Sequence, residues 1–213
     1  KLIDAILGAQ LPDGGWDMMG KAADTDITAM AIQALAPYYD TDENVRAAVD
    51  KALDVLSAAQ LPTGGFASWG SENSEACAQV IVALTALGID PATDSRFVKN
   101  GMTALDALAS FYVDGGGFRH TASGELDGMA TEQGYYALAA YYRFAAGQTN
   151  LFNMSDVTIQ ANTPATPDQP GTPANPDNPG TAEPTGDTIL LWAILAPAAF
   201  LAAAALTRKK KQA

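Results

Sequence analysis

Gln10-Leu11-Pro12-Asp13-Gly14-Gly15-Trp16 returns as Gln60-Leu61-Pro62-Thr63-Gly64-Gly65-Phe66, and more loosely as Tyr112-Val113-Asp114-Gly115-Gly116-Gly117-Phe118. The closing aromatic recurs after 50 and then 52 residues, at positions 16, 66 and 118. A period of that length is one helical hairpin per repeat, with successive hairpins stacked side by side. Glycine pairs supply the tight corner, and the aromatic that follows is placed to pack against it.

Each corner is followed by a hydroxyl residue and an acid: Thr25-Asp26, Ser74-Glu75 and Thr131-Glu132. Local chemistry explains such a pair at a helix start. The hydroxyl caps an orphan backbone N–H, and the carboxylate faces the positive end of the helix dipole. Helical periodicity then runs through Ile27, Met30, Ala31, Ala34 and Leu35, and through Cys77, Val80, Ile81, Leu84 and Leu87. Partner helices are expected over Val45, Val49, Ala52, Leu53 and Leu56, and over Val98, Met102, Leu105 and Leu108. About six helices result, the first a fragment, with no alternating run that predicts a sheet. The fold class is all-α over residues 1–150, where frequent Ala lets helix axes approach closely.

The 213 residues are 48% hydrophobic and 17% charged, enough for a packed domain with additional segments. Four of the twelve basic residues are the run Arg208, Lys209, Lys210 and Lys211, so the net charge of −12 becomes −16 without them. So acidic a chain repels phosphate backbones, and nucleic acid is excluded as a partner. Cys77 is the single cysteine, which rules out an internal disulfide. That usage fits a surface protein of a Gram-positive bacterium better than a secreted animal domain. Lys1 opens in mid-helix with neither an initiator Met nor a leader, so an upstream portion is expected.

Beyond the repeats the composition changes twice. In residues 151–186, Pro164, Pro167, Pro170, Pro173, Pro176 and Pro179 recur every third residue, the period of polyproline II. Ala161 to Gly186 reads as a stalk of roughly 80 Å. Residues 187–213 contain Ile189 to Leu206, uncharged and apolar, and then the basic run. Eighteen such residues make a helix of about 27 Å, enough to cross a hydrocarbon core, and the positive-inside rule leaves the C-terminus cytoplasmic. The expected location is the extracellular face of a membrane or cell wall.

The corner sequences resemble the QW-type repeats of the prenyltransferase and squalene-cyclase superfamily, in which a Gln is followed a few residues later by Gly, any residue and an aromatic. The resemblance implies a partial α/α toroid of concentric inner and outer helices, about half of a closed ring. It also implies a structural role for the Gln, bonding backbone at a helix end, with the aromatic packed on it. The C-terminus resembles a sortase sorting signal of LPXTG type. Ala182-Glu183-Pro184-Thr185-Gly186-Asp187 is the matching stretch, with Thr185 and Gly186 flanking the implied cut and peptidoglycan the implied partner, although the Leu-Pro is replaced.

Several chemistries are open to that superfamily. Asp24-Thr25-Asp26-Ile27-Thr28-Ala29-Met30 is similar to the DxDD-Thr-Ala-Met motif of class II terpene cyclases, which implies Asp26 as proton donor to an alkene with Asp24 beside it. Ile27 replaces the last acid, and Glu75 and Glu132 place an acid in every repeat, as helix starts alone would. A zinc-dependent prenyltransferase would need Asp, Cys and His together, and only Glu75-Ala76-Cys77 and the distant His120 are present, so no metal and no cofactor are expected. A corrinoid carrier of transcobalamin or intrinsic-factor type would hold cobalamin at the mouth of the toroid. The leading expectation is a displayed binding or adhesion module for an extracellular ligand, rimmed by Trp16, Trp69, Tyr112 and Phe118. A terpene-cyclase-type enzyme and a corrinoid-binding protein are the alternatives.

Overall fold

The computed structural model describes residues 1–158 and divides the chain into two units, Lys1–Met154 and Ser155–Ala213. The proline-periodic stretch, Thr185, Gly186, the Ile189–Leu206 span and the basic run lie outside the described residues. No helix among the described residues is long and apolar enough to cross a membrane.

The first unit is helix-rich. Its helices are α1 (Leu2–Gly8), α2 (Thr25–Leu35), α3 (Glu43–Ala59), α4 (Ser74–Ala86), α5 (Ala104–Ser110) and α6 (Gly128–Ala145), with single 3-10 turns at Ala36–Tyr38 and Ser95–Phe97. The order of packing follows the repeat. Helix α4 lies between α2 and α6, while α3 packs on α2 and α5 on α4. Eleven residues of α4 are buried, which is why its sequence is apolar nearly all round rather than striped. In α3 the expected face, Val45, Val49, Ala52, Leu53 and Leu56, is the buried one.

Sequence periodicity located the helices better than their faces. In α2 the core side is Ala29, Ile32 and Leu35, with Thr28 fully buried beside them. Met30 is 51% exposed, and with Ala31 and Ala34 it lines a groove of about 550 Å³ shared with Leu2, Ile6 and Trp16. The expected helix over Val98 to Leu108 is only its last part. Asn100 and Gly101 form a tight turn closed by Lys99 and Met102, and Thr103 then caps α5 in a reciprocal box with Asp106. Two hairpins of two-residue strands were also not expected: β1 (Ala67–Ser68) with β2 (Ser71–Glu72), and β3 (Tyr112–Val113) with β4 (Gly117–Phe118). Strands that short leave no alternation to read.

The corners show why the repeated residues repeat. Gln10 Nε2 donates to Gly14 O and to Ala48 O of α3, both at 2.8 Å. Gln60 Nε2 donates likewise to Gly64 O and Phe97 O, both at 2.9 Å. Each Gln therefore ties its own corner to the backbone of a neighbouring element, within α3 for Gln10 and at the last residue of the Ser95–Phe97 turn for Gln60. Gly15, Gly65 and Gly117 hold places where a Cβ would strike Ala23, Glu72 and Thr131 respectively. Trp16, Phe66 and Phe118 are all buried behind these contacts.

Candidate functional site

Helices α2, α4 and α6 begin in the same way, and the shared details fix which residues correspond. The caps are Asp24, Asn73 and Asp127, whose side chains accept from backbone N–H groups two or three residues on. The backbone N–H of each cap donates to the carbonyl of its corner aromatic, Trp16, Phe66 or Phe118. One turn further on, Thr28 Oγ accepts from Trp16 N at 3.0 Å and Thr131 Oγ from Phe118 N at 2.9 Å, while the Cys77 thiol meets the Phe66 backbone.

Thr131 therefore corresponds to Thr28 and Cys77, not to Thr25 and Ser74. The pairing of Glu132 with Asp26 and Glu75 is overturned, because α6 starts three residues earlier than its Thr-Glu pair implies. The position two past the cap holds Asp26, Glu75 and Met129. The hydroxyls of Thr25 and Ser74 are not the caps either: Ser74 Oγ donates to Glu75 at 2.9 Å. Cys77 occupies a packing position, and burial pushes its thiol up to about 12, so that the free side chain is a neutral thiol near neutral pH.

Asp26 has no such structural explanation. The cap of α2 is already filled, since Asp24 Oδ1 accepts from the N–H groups of both Asp26 and Ile27 at 3.0 and 3.2 Å. Asp26 Oδ1 is buried and has no hydrogen-bond partner. Its carboxyl is pushed up from 3.8 to about 6, first by burial and then by the negative charge of Asp24, with Glu75 adding to the rise. A hydrogen bond from Ser68 and the proximity of His120 act in the opposite direction without cancelling it.

Three segments bring these groups together. The β1–β2 hairpin is fastened to the start of α2 by Ser68 Oγ, which donates to Asp24 Oδ2 at 2.7 Å. Asn73 Nδ2 holds the same hairpin through Ser71 O at 3.1 Å. From the loop after β4, His120 Nδ1 lies 2.9 Å from both oxygens of the buried Glu75, and Ser74 N donates to His120 O at 3.0 Å. The single histidine of the chain thus meets an acid 45 positions away. Its rarity was the one signal in the sequence, and spacing alone could not place it.

The four rim aromatics separate into two kinds. Trp16 is 4% exposed and donates through Nε1 to Ile6 O at 2.7 Å, and Phe118 is 2% exposed between Tyr112 and Tyr135. Those two are corner packing. Trp69 is 77% exposed and Tyr112 38%, and of these Trp69 stands next to Ser68 at the acid pair. In its described part the site is thus a half-enclosed carboxyl of raised pKa, two further acids, a histidine and an exposed indole. Such a carboxyl can hold a proton near neutral pH and give it up to a weak base.

No family model matches the chain. It is similar to a drimenyl diphosphate synthase of Streptomyces showdoensis, 27% identical over 135 residues. That stretch is 63% of this chain and 25% of the synthase, so the chain spans about a quarter of the length of the relative that it matches.

Proposed function

We propose that Lys1–Met154 is part of a terpene-cyclase-type α/α shell in which Asp26 donates a proton to an alkene. The observation that carries this reading is Asp26 itself. It is a buried carboxyl with an unpaired oxygen, pushed up to about 6, at a helix start whose capping needs are met by another residue. In the step proposed, the Asp26 O–H bond breaks and a C–H bond forms with the alkene's π pair. A carbocation results, and Asp26 is left as carboxylate until solvent reprotonates it. Ile27 stands where the cyclase motif has its last acid, and Glu75, reaching the site from α4, takes over that residue's electrostatic part.

The distant likeness to a terpene cyclase supports the same reading. The tail adds where it acts. The apolar Ile189–Leu206 segment and the cations after it would hold the unit on the outer face of a membrane, or in the wall if Thr185 is joined to peptidoglycan. A membrane-dissolved polyprene is the substrate class such a position can reach.

Incubation of the full-length chain with squalene and, separately, with a linear diterpenyl diphosphate tests the proposal. A cyclised product made by the native chain and abolished in Asp26→Asn is expected. Absence of product from both substrates, with the chain folded, contradicts it. A displayed binding module without chemistry is the second reading, favoured by the exposed Trp69 and by Ile27. Under it a ligand is retained unchanged, and Asp26→Asn alters affinity alone.

A further inference from the structure

Two turns of this protein share positive φ at both central positions and differ in sequence. Between Lys99 and Met102 the turn is Asn100-Gly101, with φ of 52° and 76°. Between Ser68 and Ser71 it is Trp69-Gly70, with φ of 52° and 87°. Both are two-residue hairpin turns with positive φ at each central position, the conformation for which Asn-Gly is the preferred sequence. Asn tolerates left-handed backbone because its short amide bonds locally, whereas a bulky residue there is strained. Among the described residues Trp69 and Asn100 are the two non-glycine residues with positive φ.

Packing does not offset the strain at Trp69, because the indole is 77% exposed. The position of the hairpin is also fixed without it, through Ser68 to Asp24 and Asn73 to Ser71 O. Strained backbone of this kind clusters at functional sites, and the side chain that bears it here is turned mostly to solvent. Its neighbour Ser68 bonds both acids of the α2 start, directly to Asp24 and as one of the groups acting on Asp26. The indole is thus carried by the residue next along the chain from the hydroxyl that bonds the acid pair.

We infer that Trp69 is a substrate-contact residue of the Asp26 site, a flat apolar surface against which an isoprenoid chain lies as its double bond reaches the acid. This rests on the proton-donor reading for the identity of the ligand, and its test can fail separately from that reading. Tyr112 is less suited to the role, since its ring packs edge-on against Phe118.

Farnesol titrated into the full-length chain serves as the probe, with indole N–H resonances as the readout. The Trp69 signal is expected to shift, while that of Trp16, bonded to Ile6 O, stays in place. Trp69→Ala should weaken binding about tenfold, as loss of an aromatic anchor does, and Trp69→Phe should keep most of it. Trp69→Asn supplies the measurement that a merely structural residue would not match. It relieves the turn and should raise Tm by about 2–4 °C while weakening farnesol binding as much as the alanine does. If Trp69→Asn binds farnesol normally, or if the Trp69 resonance does not move at saturation, the assignment is overturned. If Trp69 responds as expected but no substrate is cyclised, the proton-donor reading fails and the contact residue stands.

Discussion

The starts of α2 and α6 are the same corner built twice. Each has a buried aromatic behind a glycine, a cap that is an aspartate, and a threonine one turn in that returns its hydroxyl to the aromatic's backbone N–H. They differ two residues past the cap. Asp26 is partly buried with an oxygen that meets no partner, whereas Met129 is 66% exposed. What all three helix starts share is what the fold requires; the acid two past the cap is found in α2 and α4 but not in α6, and the unpaired Asp26 oxygen, the Ser68 contact, the strained Trp69 and the Glu75–His120 contact are not shared. Function is to be sought in the second group.

Breaking the shared part should have the largest effect. Phe66 is fully buried, so Phe66→Ala should cost about 3–5 kcal/mol in denaturant unfolding, enough to unfold a marginal domain. Gln60→Ala removes the bond to Gly64 O within the second corner and the bond that ties it to Phe97 O, and should cost about 1–3 kcal/mol on the same measurement.

The unshared part should behave in the opposite way. Asp26 has a folded pKa raised above its unfolded value, so between about 3.8 and 6 the folded state holds more protons than the unfolded chain. Stability contributed by that protonated form is present below pH 4 and is lost as pH rises through 6. Asp26→Asn should therefore stabilise the protein at pH 7.5, by about 1–2 kcal/mol after allowance for the solvent that reaches the carboxyl. Near pH 4 the gain should vanish. Unfolding curves at the two pH values check both sign and window.

The smallest effect is expected from copying the acid into the third repeat. Met129→Asp places a carboxyl at the equivalent position in an exposed setting, and should change stability by less than about 0.5 kcal/mol at either pH. A pH-dependent change as large as that of Asp26→Asn would show that the corner itself, rather than the surroundings of Asp26, raises the acid.

The repeat and the helix-rich fold were legible because each rests on local rules applied at a fixed period, whereas the backbone-bonding role of the glutamines came from the family resemblance alone. Helix faces were less so. Met30 satisfies the period yet points into the α1–α2 groove, since which side of a helix is covered depends on its neighbours and not on its own spacing. The correspondence of Thr131 was misread because the third loop is longer: Phe118 precedes its cap by nine residues, where Trp16 precedes its own by eight and Phe66 by seven. Asp24 and Asp26 were picked out by motif, but the feature that separates them, one carboxylate filling a cap and the other left unpaired, exists only in three dimensions. The strain at Trp69 was equally hidden, because a Trp-Gly pair carries no turn signal comparable to Asn-Gly.

The central claim is that the protein keeps one carboxyl ready to give up a proton near neutral pH. Carbon-13 NMR of the side-chain carboxyl of Asp26, followed from pH 3 to 8 in the full-length chain, measures this without reference to any substrate. A midpoint near 6 is expected, and a midpoint near the ordinary 3.8 would contradict the account.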